Sequence, residues 1–164
     1  MVWQLRQSEL REAIRALVDR WDGRCALVGT VGVQVHLAAA VGLEKPGPPA
    51  RSIEVVAFSD APRPDRSGVV PVELVDALGF EASIEAARVV VDVGGEKFPV
   101  ASPEHIIGTT LGRPELHADA KWACFVLMRI CEGRLDLEEA RGFLKRCDSV
   151  ERQSLLAELA YLAA

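Results

Sequence analysis

The chain has 164 residues, a formal net charge of −5 and a pI near 5.3. That size suits one domain with a helical appendage, and the negative balance argues against nucleic-acid binding by bulk charge. With 49% hydrophobic residues there is ample material for a core. Aromatics at only 5% mean that Val, Leu, Ile and Ala must build it.

The opening stretch MVWQLRQSELREAIR reads as the start of a polar amphipathic helix, with no apolar core of a signal peptide. No apolar run reaches the ~18 residues of a membrane span. A cytoplasmic protein that keeps off membranes is therefore expected. The four cysteines, Cys25, Cys124, Cys131 and Cys147, form no Cys-x-x-Cys pair and read as reduced thiols, mostly buried.

Residues 8–20 have the spacing of an amphipathic helix, with Ser8 as its N-cap and Leu10, Ile14, Leu17 and Val18 on the buried stripe. Residues 25–29 (CALVG) read as a buried strand. A helix to about Val41 follows, for which Thr30 is the expected cap. Three prolines and a glycine make 43–50 a loop, and 52–58 (SIEVVAF) reads as the next strand. A second loop covers 59–68, and 72–78 (VELVDAL) reads as a short helix. Residues 87–93 and 96–101 form a hairpin about Gly94-Gly95. Ser102-Pro103-Glu104 then supplies an N-cap, a proline at the first helical position and an early acid. Further helices are expected at about 115–132, 136–147 and 149–163. The order gives an α+β (mixed α/β) fold: a sheet core with its N-terminal helix over 1–101, and a helical region over 102–164 packed on it as part of one structural domain.

Three features carry possible chemistry. Gly29-Thr30 opens a helix after a strand, where free N–H groups favour an anion such as a triphosphate; the plainer alternative is an ordinary strand-to-helix turn. Glu54 stands alone in one apolar strand and Asp92 in another. If those strands are neighbours, two acids on one face could hold a Mg²⁺ against substrate phosphates; otherwise they lie on a solvated face or are neutralised by Arg51 or Arg88. His36, His105 and His117 are scattered without metal spacing, and their positions suggest no Ser-His-Asp or Cys-His set. Trp122 reads as a packing anchor rather than a base-stacking platform.

Taken in order, the blocks ALVGTVGVQVHLAA, RSIEVVAF and VVVDVGGEKFPVASPEHIIGTTL resemble the nucleotidyltransferase-fold proteins of the AbiEii-like toxin branch and the minimal nucleotidyltransferases. The resemblance runs from about Leu10 to the end of the chain. It implies a nucleotidyltransferase-like small mixed sheet with a C-terminal helical bundle, and a nucleoside triphosphate bound with Mg²⁺. Gly29, Thr30 and Ser52 would lie at the phosphates, and Glu54 and Asp92 would serve as metal ligands and catalytic carboxylates. It also brings in a toxin–antitoxin context and leaves an RNA acceptor open.

The chain departs from the family's Asp-x-Asp strand. Ser52 replaces the first acid, and Glu54 replaces the second with a side chain roughly 1.5 Å longer, a displacement of the scale that costs ~100-fold in rate. Thr109 and Thr110 stand about where many of these toxins carry a lysine, with Lys121 the nearest substitute. The preferred reading is a catalytically weak or silent nucleotidyltransferase-fold protein that binds a nucleotide or a protein partner. The alternatives are an active Mg²⁺-dependent enzyme moving NMP from an NTP to a hydroxyl, and a structural interaction module.

Overall fold

The computed structural model describes residues 1–60 and 68–164. The second proline- and arginine-rich loop, expected over 59–68, lies largely outside them. The architecture is mixed α+β. Helix α1 (Ser8–Arg20) leads to strand β1 (Cys25–Val28), helix α2 (Gly29–Val41) and strand β2 (Ile53–Ala57). Strand β3 (Val72–Leu74), helix α3 (Glu81–Ala87) and the hairpin β4 (Val89–Val93) and β5 (Glu96–Val100) follow. Four helices close the chain: α4 (Pro103–Leu111), α5 (Ala118–Cys131), α6 (Glu138–Arg146) and α7 (Val150–Ala163).

The five strands form one sheet in the order β3-β2-β1-β5-β4. β1 runs antiparallel to β2 and parallel to β5, and β3 runs parallel to β2. All four residues of β1 are buried, as a central strand covered on both faces requires. The helix α2 is apolar nearly all round because it lies between the sheet and helices α4 and α5. Leu10, Ile14 and Leu17 of α1 are buried as the periodicity predicts, and Arg11 and Arg15 tie that helix to Glu96 on β5 at 3.4 and 2.8 Å.

The proline-rich loop after α2 is pinned rather than loose. The buried Gln34 amide donates to the Trp3 and Pro48 carbonyls at 3.0 and 2.8 Å, and Trp3 bridges to Ala50. This places Pro49, Arg51 and Ser52 beside the start of α2 and fixes where β2 enters the sheet.

Several local expectations are corrected. Ser8 is the first residue of α1, and the N-cap is Gln7, which makes no side-chain cap. Thr30 lies inside α2, whose N-cap is Val28. The segment read as a helix at 72–78 begins instead with β3: main-chain pairing with β2 outweighs a helical preference that three residues cannot express alone. The helix comes later, as α3, after Asp76 accepts the Leu78 N–H at 2.9 Å and the chain turns at Leu78-Gly79. The Ser102 cap is present, accepting the His105 N–H at 3.3 Å. Trp122 does not anchor the core; it is 50% exposed on α5, while Trp3 and Trp21 fill that role. No helix among the described residues is long and apolar enough to cross a membrane.

Candidate functional site: a carboxylate over the β1–α2 turn

β1 and β2 pair with Val28 opposite Glu54, so the Glu54 side chain meets the turn that opens α2. Gly29 there has φ +63, a conformation that a residue with a Cβ adopts at a cost. The space above it is not empty. A Cβ built on Gly29 would overlap the Glu54 carboxylate, which also accepts the backbone N–H of Thr30. An ion in the usual position for a helix N-terminus is thus supplied from within the chain, by β2 itself.

A single arginine completes the arrangement. Arg113, in the connection between α4 and α5, bridges Glu54 and Glu73 of β3 through separate guanidinium nitrogens. Glu54 is 13% exposed and Arg113 33%. Burial pushes the Glu54 carboxyl above its ordinary range; Arg113 and the Thr30 N–H pull the other way, and Glu73 adds to the rise. Burial also disfavours charge on Arg113, but the two glutamates outweigh it and hold the guanidinium above its usual value.

These residues form one wall of a cleft of about 370 Å³, which Ser52, Thr110 and His117 also line. Arg51 and Asp119 pair across its rim at 3.4 Å. The Thr110 hydroxyl is buried and makes no hydrogen bond of ordinary geometry among the described residues, although the buried Cys124 thiol lies beside it. Among the described residues the cleft therefore holds two arginines, both already engaged, against a larger number of carboxylates.

Gly29, Thr30, Ser52 and Glu54, singled out from sequence, come together here. Asp92 does not. It is exposed on β4, opposite Lys97 in the hairpin register, and accepts the Gly95 N–H at 3.0 Å. The sheet order puts β1 and β5 between β2 and β4, a separation of three strand spacings or roughly 14 Å. Glu54 and Asp92 cannot share a Mg²⁺, and the expectation that their strands are neighbours is corrected. Glu54 is committed to Arg113 and Thr30, and Ser52 brings no charge, so the donor set beside Gly29 does not fit the metal the resemblance implies. Among the described residues, no group of three or more His, Cys, Asp and Glu side chains is placed to hold a metal ion.

Sequence reasoning missed Arg113 and Glu73. Arg113 lies just past the end of α4, one turn beyond Thr110, so the cation comes from the loop and not from the helix position where a lysine was sought. Glu73 was hidden by reading β3 as helix. Lys121 is exposed and lies outside the cleft. Elsewhere, burial pushes the Cys25 thiol up to about 11 and the Cys124 thiol up to about 12, values that make both unreactive.

No protein-family model matches the chain, and no curated protein matches it. Among solved structures, the chain is similar to the crystal structure of an antigenic nucleotidyltransferase-like protein from Paracoccidioides brasiliensis, with 12% identity and a TM-score of 0.47 over 99% of this chain and 91% of that one.

Proposed function

We propose that the chain is a nucleotidyltransferase-like protein without transfer activity, which uses the cleft beside β2 to bind a nucleoside-sized ligand. One observation carries this reading: the Glu54 carboxylate fills the hollow over Gly29 and takes the Thr30 N–H, where a substrate phosphate would have to sit. A triphosphate entering there meets a carboxylate in place of free donors, and finds Arg113 already neutralised. The order of blocks along the chain, a strand, a glycine turn, a helix and an acid-bearing strand, supports the fold half of the reading. The cleft volume falls at the small end of the range usual for small-molecule sites. Its surplus of carboxylates favours the hydroxyls and amino groups of a nucleoside over a polyphosphate.

The test is calorimetry with adenosine, guanosine, cytidine and uridine and with their triphosphates, with and without Mg²⁺, beside a transfer assay using labelled triphosphates. Binding of at least one nucleoside, unaffected by Mg²⁺ and with no label transferred, is the expected result. Label transfer that requires Mg²⁺ and disappears in Glu54→Gln would restore the active-enzyme alternative.

A further inference from the structure

A second cleft, of about 420 Å³, opens on the other side of α4, between α3 and α6. Its floor holds three side chains in a row. Ser102 Oγ lies 2.7 Å from His105 Nδ1, and His105 Nε2 lies 3.6 Å from Glu139 Oε2. His105 is only 5% exposed, yet its Nε2 has no hydrogen-bond partner within normal reach among the described residues, which is uncommon for a buried polar atom.

The hydrogen bonding selects a tautomer. Ser102 Oγ already accepts the His105 backbone N–H, so its own proton is free to go to Nδ1. The ring hydrogen then sits on Nε2, facing the Glu139 carboxylate. Ser102 is thereby hydrogen-bonded to a base, and that base is faced by an acid. This is the order of groups that makes a hydroxyl nucleophilic.

The geometry points to Ser102 as an activated nucleophile that takes the acyl group of a small ester, with His105 as its base and Glu139 as the residue that positions the ring. The cleft does not depend on the β2 site. Burial, the largest influence on His105, holds it below its ordinary value, so the ring is neutral and can accept a proton at pH 7. In the first step Ser102 Oγ bonds to the ester carbonyl carbon and its proton passes to His105 Nδ1. The bond to the leaving alcohol then breaks, and the alkoxide takes that proton. Water adds to the acyl-serine, giving a proton to Nδ1; the carboxylic acid leaves, and the proton returns to Oγ. The dipole of α4, whose N-cap is Ser102, favours the oxyanion formed in each step.

The walls narrow the substrate. Glu104, Asp136 and Glu139 line the cleft, no lysine or arginine among the described residues does, and Ala86 and Ala87 give it an apolar side. An ester with a cationic alcohol suits this lining better than an anionic one.

The experiment is labelling of the full chain with a fluorophosphonate, which forms a P–O bond to an activated serine and releases fluoride. The adduct is located by mass spectrometry, and hydrolysis of acetylcholine and p-nitrophenyl acetate is followed in parallel. One adduct on Ser102 is expected, with acetylcholine the preferred ester. Ser102→Asp retains a helix cap while removing the hydroxyl, and must abolish the adduct. His105→Gln must slow labelling about 100-fold with the hydroxyl still present. Glu139→Gln, at a 51% exposed position, serves if His105→Gln does not fold. Loss of its carboxylate lowers the His105 pKa further, so the midpoint of the labelling-against-pH curve must move to lower pH, a shift that a purely structural residue does not produce. No adduct on Ser102 of the folded wild-type chain, or equal labelling of folded His105→Gln, would reduce the trio to a helix cap and overturn the inference.

Discussion

Glu54 and Asp92 look alike in the sequence and fare differently in the fold. Each is a lone acid in a run of valines, and each comes close to a glycine turn. Glu54 on β2, one strand in from the edge, lies over Gly29 with a backbone N–H and a guanidinium to meet it. Asp92 sits on the outermost strand and accepts the Gly95 N–H of the hairpin turn. What separates them is the place of each strand in the sheet, because that place decides which other parts of the chain can reach the acid. The β1–α2 turn and the α4–α5 connection both converge on β2, and no such elements converge on Asp92.

The sharpest way to test that contrast is at the two glycines. Gly29→Ala forces a Cβ into the Glu54 carboxylate at a positive φ, and is expected to cost about 3 kcal/mol in urea unfolding. Gly95→Ala, at φ +86 with no atom of the described residues within 4 Å of its Cβ, carries only the backbone cost of about 1 kcal/mol. Adding Glu54→Ala to Gly29→Ala should recover about 1 kcal/mol or more, since the two groups share one space. Equal costs at the two glycines would mean that Glu54 is not packed over the turn.

Arg113→Ala comes next in size. It leaves a mostly buried carboxylate with only Thr30 as partner, and the expected loss is about 1–2 kcal/mol, discounted because Arg113 is a third exposed. Lys97→Ala, opposite Asp92 in the hairpin, should change stability by less than about 0.5 kcal/mol. Titration of the Glu54 carboxyl by NMR gives a second reading. Arg113 lowers its pKa, so the value must rise further in Arg113→Ala.

The same comparison shows how far the sequence reaches. Periodicity, turn residues and one cap place α1, the hairpin and α4 to within a few residues, because each is specified by its own segment: the Leu10–Ile14–Leu17 stripe, Gly94-Gly95, and Ser102-Pro103. The short β3 escapes, since an edge strand of three residues exists only by pairing with β2. Four residues of the candidate site, Gly29, Thr30, Ser52 and Glu54, are legible because they lie at the start of α2 and at the entry to the next strand, joined by one loop. Arg113 and Glu73 are not, because they reach Glu54 across 59 and 19 positions of chain, and only the tertiary fold brings them there. The same holds for Glu139 beside His105. The Ser102–His105 half of that row lies within one helical turn, and its only sequence signal was a cap.

The pH dependence of stability follows with a definite sign. A carboxyl whose folded pKa is raised binds its proton more tightly in the folded state. Its contribution is therefore greatest below the ordinary value of 4.5 and is lost as pH rises through the raised one. Glu54→Gln removes that loss and keeps an acceptor for the Thr30 N–H. Measured against wild type by urea unfolding from pH 3.5 to pH 7, the variant should gain stability as pH rises, with the change falling above the ordinary carboxyl value. A difference that moves in the opposite direction would mean that the Arg113 pairing outweighs burial.

Asp92→Ala gives the smallest effect and bears most directly on what the two acids do. The substitution removes one exposed hydrogen bond, from the Gly95 N–H, and exposed main-chain donors turn to water when a partner is lost. The expected cost is about 0.5 kcal/mol, with ligand binding at the β2 cleft unchanged. Glu54→Ala should behave otherwise. It frees the Thr30 N–H and releases Arg113 from one of its two carboxylates, and so should create affinity for inorganic phosphate that wild type lacks. If Asp92→Ala abolished ligand binding, the two acids would have to act together despite the strands between them. If Glu54→Ala gained no phosphate affinity, the carboxylate would not be occupying an anion site at all. The pair of measurements therefore separates an acid that fills a site from one that closes a turn.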